Sequence, residues 1–280
     1  MRELRGKLIA DRIKEECLDY VNEKNGEMPV VAIIRVGEKP DDIAYERSAK
    51  KKLTYFGLEV KTYEMEEDVT NEMFLEAFDF INRDPEINGI LVLRPLPEQI
   101  DEQSVTERID PKKDLDGISP FNKAKVMEGD ESGFAPCTAQ AVVELLKEYR
   151  VEIAGKEAVI VGRSMTVGRP LSMLLLKENA TVTVCHSKTE HLPAICARAD
   201  ILVAAIGKPR FITGDFVKKD AVVIDVGINV DEDGKICGDC DWESITEKAD
   251  AASPVPGGVG AVTTALLGQH LVRAAKAQEA

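Results

Sequence analysis

No apolar run in this 280-residue chain is long enough to span a bilayer, and positive charge is in the minority, with 36 lysines and arginines against 50 aspartates and glutamates. The first absence excludes a transmembrane helix. The second, a formal net charge of −14, argues against a general nucleic-acid surface. The six cysteines (Cys17, Cys137, Cys185, Cys196, Cys237 and Cys240) are scattered and do not form the paired framework of a small secreted domain. Only Cys237-Gly-Asp-Cys240 has ligand-like spacing, and its polar surroundings predict a surface hairpin rather than a metal or redox site. His186, His191 and His270 are not spaced as metal ligands, so no metal site is expected. Near the N-terminus, MRELRGKLIADRIKEECLDYV mixes charge with apolar residues at helical spacing and lacks the apolar centre of a signal peptide; a cytoplasmic protein with no membrane or nucleic-acid partner is expected.

What is present is ordinary globular composition, 44% hydrophobic and 31% charged, at a length that accommodates two modest domains. Strand-like runs at 30–36, 58–64 and 89–93 alternate with helical patterns at 8–22, 43–56 and 70–82. A second series of strands follows at 158–161, 181–184, 201–205 and 222–226. Such alternation writes an open, mostly parallel sheet twice. The expected fold is therefore α/β, two tandem α/β units, residues 1–137 and 138–261. A stretch rich in Asp, Gly and Pro (110–136) and an amphipathic helix at 138–149 join them. A terminal helix within 262–280, following the glycine-rich 254–260, is expected to pack back on the first unit.

The densest signal is VIVGRSMTVGRP at 159–170 followed by ATVTVCHSKT at 180–189, read as strand, glycine turn, helix, strand. Gly162 permits a tight turn, Gly168 lets the helix pack close to the sheet, and the helix N-terminus faces a pyrophosphate; Ser164 lies in the turn. The spacing is G-x-S-x-x-x-G rather than G-x-G-x-x-G, so a βαβ unit without a ligand stays open on this segment alone. NAD sites usually end the second strand in a carboxylate that binds the ribose 2′-hydroxyl. Here that strand ends in Cys185-His186-Ser187-Lys188. Arg163 and Ser187 suit a 2′-phosphate, which favours NADP over NAD; the competing reading is that both are simply solvated.

These motifs, with KKDLDGISPFN at 112–122, PVPGGVGAVTT at 254–264, GILV at 89–92, PLP at 95–97 and PCT at 136–138, closely resemble the methylenetetrahydrofolate dehydrogenase/cyclohydrolase family. The resemblance runs from the first helix to the last. It implies an N-terminal catalytic, folate-binding domain, a Rossmann-type NAD(P)-binding domain with a cleft between them for the pterin, and a homodimer. It also implies that Asp116, in the D-x-D-G turn, binds the amino-pyrimidine edge of the folate. Tyr45 would stack on or hydrogen-bond the substrate. Pro256 and Gly257 would present backbone to it, and Gly227 and Ile228 would pack against the nicotinamide. The plainer readings are that Asp114 and Asp116 stabilise a turn before Gly117 and that Tyr45 is a core residue.

Two family positions are occupied differently. In the family's P-x-S-x-x-Y-x-x-x-K pattern this chain places Asp42 at the serine, keeps Tyr45, and has Ala49 at the lysine; in V-Q-L-P-L-P it reads Val92-Leu93-Arg94-Pro95-Leu96-Pro97, so the glutamine is Leu93. Oxidising 5,10-methylenetetrahydrofolate removes only a hydride, and positioning can carry most of that step. Hydrolysing the methenyl product moves protons and needs a group titrating near neutrality, which Ala49 and Leu93 cannot be. The expectation is a dehydrogenase with little or no cyclohydrolase activity. The alternatives are a bifunctional enzyme that uses Lys52 or another group, and a nonenzymatic folate and dinucleotide sensor. Lys52 lies one turn beyond Ala49 on the Tyr45 face, although Lys50, Lys51 and Lys52 also read as a solvated patch.

Overall fold

The computed structural model describes residues 1–279. In chain order the elements are β1 (Arg2–Glu3), α1 (Lys7–Glu23), β2 (Val30–Val36), α2 (Pro40–Tyr55), β3 (Glu59–Met65), α3 (Asn71–Arg83), β4 (Gly89–Val92), α4 (Glu102–Arg108), α5 (Pro120–Glu128) and α6 (Cys137–Glu148). They continue with β5 (Glu157–Val161), α7 (Gly168–Lys177), β6 (Thr181–Cys185), α8 (Leu192–Cys196), β7 (Ile201–Ala204), β8 (Val222–Asp225), β9 (Asn229–Val230), β10 (Ile236–Cys237), α9 (Trp242–Thr246), β11 (Ala251–Ala252) and α10 (Val259–Glu279). Two compact units result. The first comprises Arg12–Cys137 with the chain from Thr264 onward, the second Met1–Asp11 with Thr138–Thr263. The boundary expected at 1–137 therefore shifts at its start. Strand β1 pairs in parallel with β11, Arg2 opposite Ala251, and carries the first residues into the second unit.

In the first unit a three-stranded parallel sheet has the order β3-β2-β4. The central strand, VVAIIRV, is buried along its whole length, as a strand covered on both faces must be. Val30, Ala32, Ile34 and Val36 alternate onto one face and meet Phe74, Phe78 and Ile81 of α3. The exception in that apolar run is Arg35, only 5% exposed. Its guanidinium reaches Glu46 of α2 at 2.8 Å and Glu64 of β3 at 2.9 Å, so a buried charge is paired on both sides and α2 is tied to the sheet. Helix α2 starts at Pro40, three residues before the periodicity suggests, because proline at the first helical position and Asp41 and Asp42 in the first turn favour an N-terminus there.

The stretch 110–136, rich in Asp, Gly and Pro, contains α5. Ser119 caps it, its Oγ accepting the Asn122 N–H at 3.1 Å, Pro120 opens it, and Gly129 ends it at φ +71°. Helix α4 likewise adds to the expected elements; Asp101 caps it by accepting the Gln103 N–H at 3.1 Å.

In the second unit six parallel strands lie in the order β1-β11-β8-β7-β5-β6. From β5 the chain moves first to one neighbour, β6, and then to the other, β7. The order thus reverses at β5, and ligands of such sheets bind beyond the carboxyl ends of the strands at that reversal. Val159, Val161, Leu202, Ala204 and Val223 form the centre of its core. Among the described residues no helix is long and apolar enough to cross a membrane.

Candidate active site

At the reversal point, β5 and β6 run in register with Val161 opposite Cys185, and the Gly162 N–H donates to the Cys185 carbonyl at 2.9 Å. The chain therefore leaves both strands at one edge, with Arg163 and Ser187 exposed just beyond. Gly162 sits at φ +138°, and a Cβ built on it would lie 2.1 Å from the Ala205 carbonyl oxygen; one on Gly168 would lie 2.0 Å from the Gly162 carbonyl oxygen. Glycine is required at both places, and the turn folds back on itself into a cradle at the start of α7. Ser164 shapes it, its Oγ accepting the Val167 N–H at 3.1 Å. A backbone cradle of this kind fits a pyrophosphate. Gly227 and Ile228 lie beyond β8, two strands from β5; Gly227 is buried and Ile228 is exposed. Pro256 is exposed, and the Gly257 carbonyl accepts the Gly6 N–H at 2.9 Å.

In the first unit Tyr45, Arg94, Asp116 and Cys137 form an electrostatically coupled group. Asp116 accepts the Cys137 N–H at 2.9 Å. Burial pushes its carboxyl up, while the Cys137 N–H and the Arg94 charge pull it down. Tyr45 is 37% exposed, yet desolvation of its hydroxyl, with the Asp116 charge nearby, pushes its pKa up. Asp114 does the work of the turn. Its carboxylate accepts the Ile118 and Ser119 N–H groups at 2.9 and 2.8 Å and the Asn122 amide at 2.8 Å. That division of labour separates Asp116 from the turn.

Ala49 and Leu93 are both buried, 1% and 8% exposed, and Lys52 is half-buried one turn along α2. Arg94 pairs with Glu102 at 3.0 Å. A further amine, which no sequence motif selects, is Lys123 on α5. It is half-buried, and burial together with the Arg94 charge lowers its pKa. His270, fully buried, holds the Leu115 carbonyl at 2.7 Å through Nδ1, and burial lowers its pKa to about 4, which keeps the ring neutral.

The Cys237-Gly-Asp-Cys240 segment departs from expectation. A hairpin is present, β9 antiparallel to β10, but Cys237 and Cys240 are buried at 8% and 4% exposure. Both cysteines are free, and among the described residues no group of three or more His, Cys, Asp or Glu could hold a metal. The reason for the burial is Asp225, at the end of β8, whose carboxylate accepts the N–H groups of Gly227, Asp239 and Cys240 at 3.0, 2.9 and 2.9 Å. Those bonds draw the segment inward. Burial pushes the Asp225 carboxyl up to about 6 against the pull of the Cys240 and Asp239 N–H groups.

A glycine cradle at the strand-order reversal of a parallel sheet, in a chain whose other α/β unit holds a half-buried carboxylate and a tyrosine, defines a two-unit protein of the dinucleotide-binding class. Comparison narrows it. Residues 4–116 match the tetrahydrofolate dehydrogenase/cyclohydrolase catalytic domain, and residues 136–279 match the NAD(P)-binding domain of the same family. The chain is 50% identical over 277 residues to the bifunctional protein FolD of Alkaliphilus oremlandii, covering 98% of this chain and 97% of that one. It is similar to the crystal structure of the bifunctional FolD methylenetetrahydrofolate dehydrogenase/cyclohydrolase from Campylobacter jejuni, with a TM-score of 0.96, 39% identity and 99% of each chain covered. The Trypanosoma brucei methylenetetrahydrofolate dehydrogenase-cyclohydrolase, complexed with NADP and inhibitor, is 32% identical with a TM-score of 0.92, covering 99% of this chain and 98% of that one. The chain belongs to the tetrahydrofolate dehydrogenase/cyclohydrolase family.

Proposed function

We propose that this chain oxidises 5,10-methylenetetrahydrofolate to the 5,10-methenyl cation by hydride transfer to NADP, and that it hydrolyses that cation only weakly. The observation that carries the oxidation is the Gly162–Gly168 cradle in a chain whose two units both belong to the family. When bound, oxidised cofactor supplies the hydride acceptor. The chain's own contribution is to bind and orient. Asp116 accepts hydrogen bonds from the amino-pyrimidine edge of the pterin and Tyr45 lies against the folate; the family resemblance adds Pro256 and Gly257 as residues that offer backbone to the substrate. Gly162, Ser164 and Gly168 hold the pyrophosphate, Arg163 and Ser187 the 2′-phosphate, and Gly227 and Ile228 lie on the nicotinamide side. The working assembly in this reading is a homodimer, resting on the family resemblance.

Weak hydrolysis follows from Ala49 and Leu93, two buried apolar residues at the positions of the family's lysine and glutamine. During turnover, reduced cofactor and the methenyl product are expected to accumulate together, each quantified after chromatographic separation of the reaction mixture. The methenyl species should then decay at the buffer's spontaneous rate. Acceleration by the protein that saturates with substrate would overturn this half of the reading. It would support the second one, a bifunctional enzyme, which the name of the Alkaliphilus relative favours and for which Lys52 or the half-buried Lys123, its pKa lowered by burial and the Arg94 charge, offers an amine.

Cofactor choice is tested at Arg163. Arg163→Ala should raise the Michaelis constant for NADP, through loss of a charge-assisted contact of about 1.5–3 kcal/mol, and leave that for NAD nearly unchanged. Equal effects on both cofactors, or a wild-type preference for NAD, would show that these two residues do not read the phosphate.

A further inference from the structure

Asp239 is fully buried, and its carboxylate is surrounded by donors from the protein itself. Oδ2 accepts the Ile206 and Gly207 N–H groups at 2.7 and 3.1 Å; Oδ1 accepts the Lys208 N–H and the Asn229 side-chain amide, both at 2.9 Å. Three consecutive backbone N–H groups thus close around one carboxylate, which makes an anion nest filled from within the protein. The nest is the turn that follows β7, the strand hydrogen-bonded to β5 on the far side of the reversal. Its preceding residue, Ala205, is the one whose carbonyl abuts Gly162. Asn229 lies just beyond Gly227 and Ile228 after β8, so a single carboxylate holds the turns that follow two neighbouring strands.

The surrounding backbone is built to let the carboxylate in. A Cβ on Gly227 would lie 2.3 Å from Asp239 Oδ1. Asp225 secures Asp239 in turn by accepting its N–H at 2.9 Å, and the Ser253 hydroxyl, 2.8 Å from the Asp225 N–H, anchors that residue. This chain of contacts connects the segment 237–240 to the sheet edge where the glycine cradle opens.

We propose that Asp239 is a positioning residue for the dinucleotide: by holding the 206–208 and 227–229 turns at the carboxyl edge of the sheet, it sets the shape of the surface on which the cofactor lies. The inference rests on the function proposed above. It concerns binding, so the readout is NADP affinity measured directly by calorimetry on the purified full chain, together with tetrahydrofolate affinity and thermal stability.

The amide introduced by Asp239→Asn would turn an NH2 group toward two of the four donors, so this variant should weaken NADP binding roughly ten-fold or more and raise KM for NADP in parallel. Tetrahydrofolate affinity and the folate KM should stay within about two-fold of wild type. Should Asp239→Asn fail to fold, Asn229→Ala decides. It removes one donor, leaves the nest closed, and should weaken NADP binding about three- to ten-fold with little change in melting temperature. Wild-type NADP affinity in a folded Asp239→Asn or in Asn229→Ala would overturn the proposal, as would an equal loss of NADP and tetrahydrofolate binding, which marks general destabilisation. A wild-type chain that binds tetrahydrofolate and not NADP would overturn the cofactor reading itself, a result distinguishable from the variants' failure.

Discussion

Replacing Asp116 with alanine is expected to lower kcat/KM for methylenetetrahydrofolate by roughly 30- to 1000-fold, the equivalent of about 2–4 kcal/mol for hydrogen bonds between substrate N–H groups and a carboxylate. The structure makes this a clean test. Asp114 carries the three hydrogen bonds that hold the turn, and Asp116 contributes to the protein the bond from the Cys137 N–H. Removing the Asp116 carboxylate therefore leaves the turn's own scaffold in place. NADP affinity, measured by titration, should be unchanged because the cradle lies in the other unit. A folded Asp116→Ala protein with wild-type kcat/KM would remove Asp116 from the folate site.

Ala49→Lys combined with Leu93→Gln should produce measurable methenyl hydrolysis where neither single change does. Ala49 is 1% exposed on α2, so a lysine there pushes three further methylenes and an amine into packed space, at a cost of about 1–3 kcal/mol in stability. Burial would lower the pKa of that amine toward the range a general base needs. Leu93 offers it no hydrogen bond, and an unpartnered buried amine has no fixed geometry. Glutamine at 93 restores the partner that the family resemblance implies for that lysine, so the two substitutions should couple non-additively. The measurement is the rate of methenyl loss above the spontaneous rate in the two single variants and the double variant. Full activity from Ala49→Lys alone would make the glutamine position dispensable. A folded, inactive double variant would move the explanation to Asp42, Arg94 or another departure.

The residues that could be read without a structure are those whose meaning is local. Gly162 and Gly168 stand at fixed offsets from an apolar run, and a turn against a helix start needs them there whatever lies elsewhere in the chain. The substitutions at Ala49 and Leu93 are legible for the same reason, as positions in short motifs. Helix α5 was written in Ser119, Pro120 and Gly129 but hidden by the density of Asp, Gly and Pro around it. The two-residue strand β1 had no readable pattern at all, because it exists only by pairing with residues near 251.

Tertiary structure alone decided the fate of the charged groups. Asp239 meets donors at 206–208 and 229, Arg35 meets Glu46 and Glu64, and Lys123 lies within the field of Arg94. Apolar periodicity reports which face of an element is buried, since burial of apolar area is additive and non-directional. A hydrogen bond is directional and needs one particular partner, which the fold brings from a distance along the chain that no local pattern encodes.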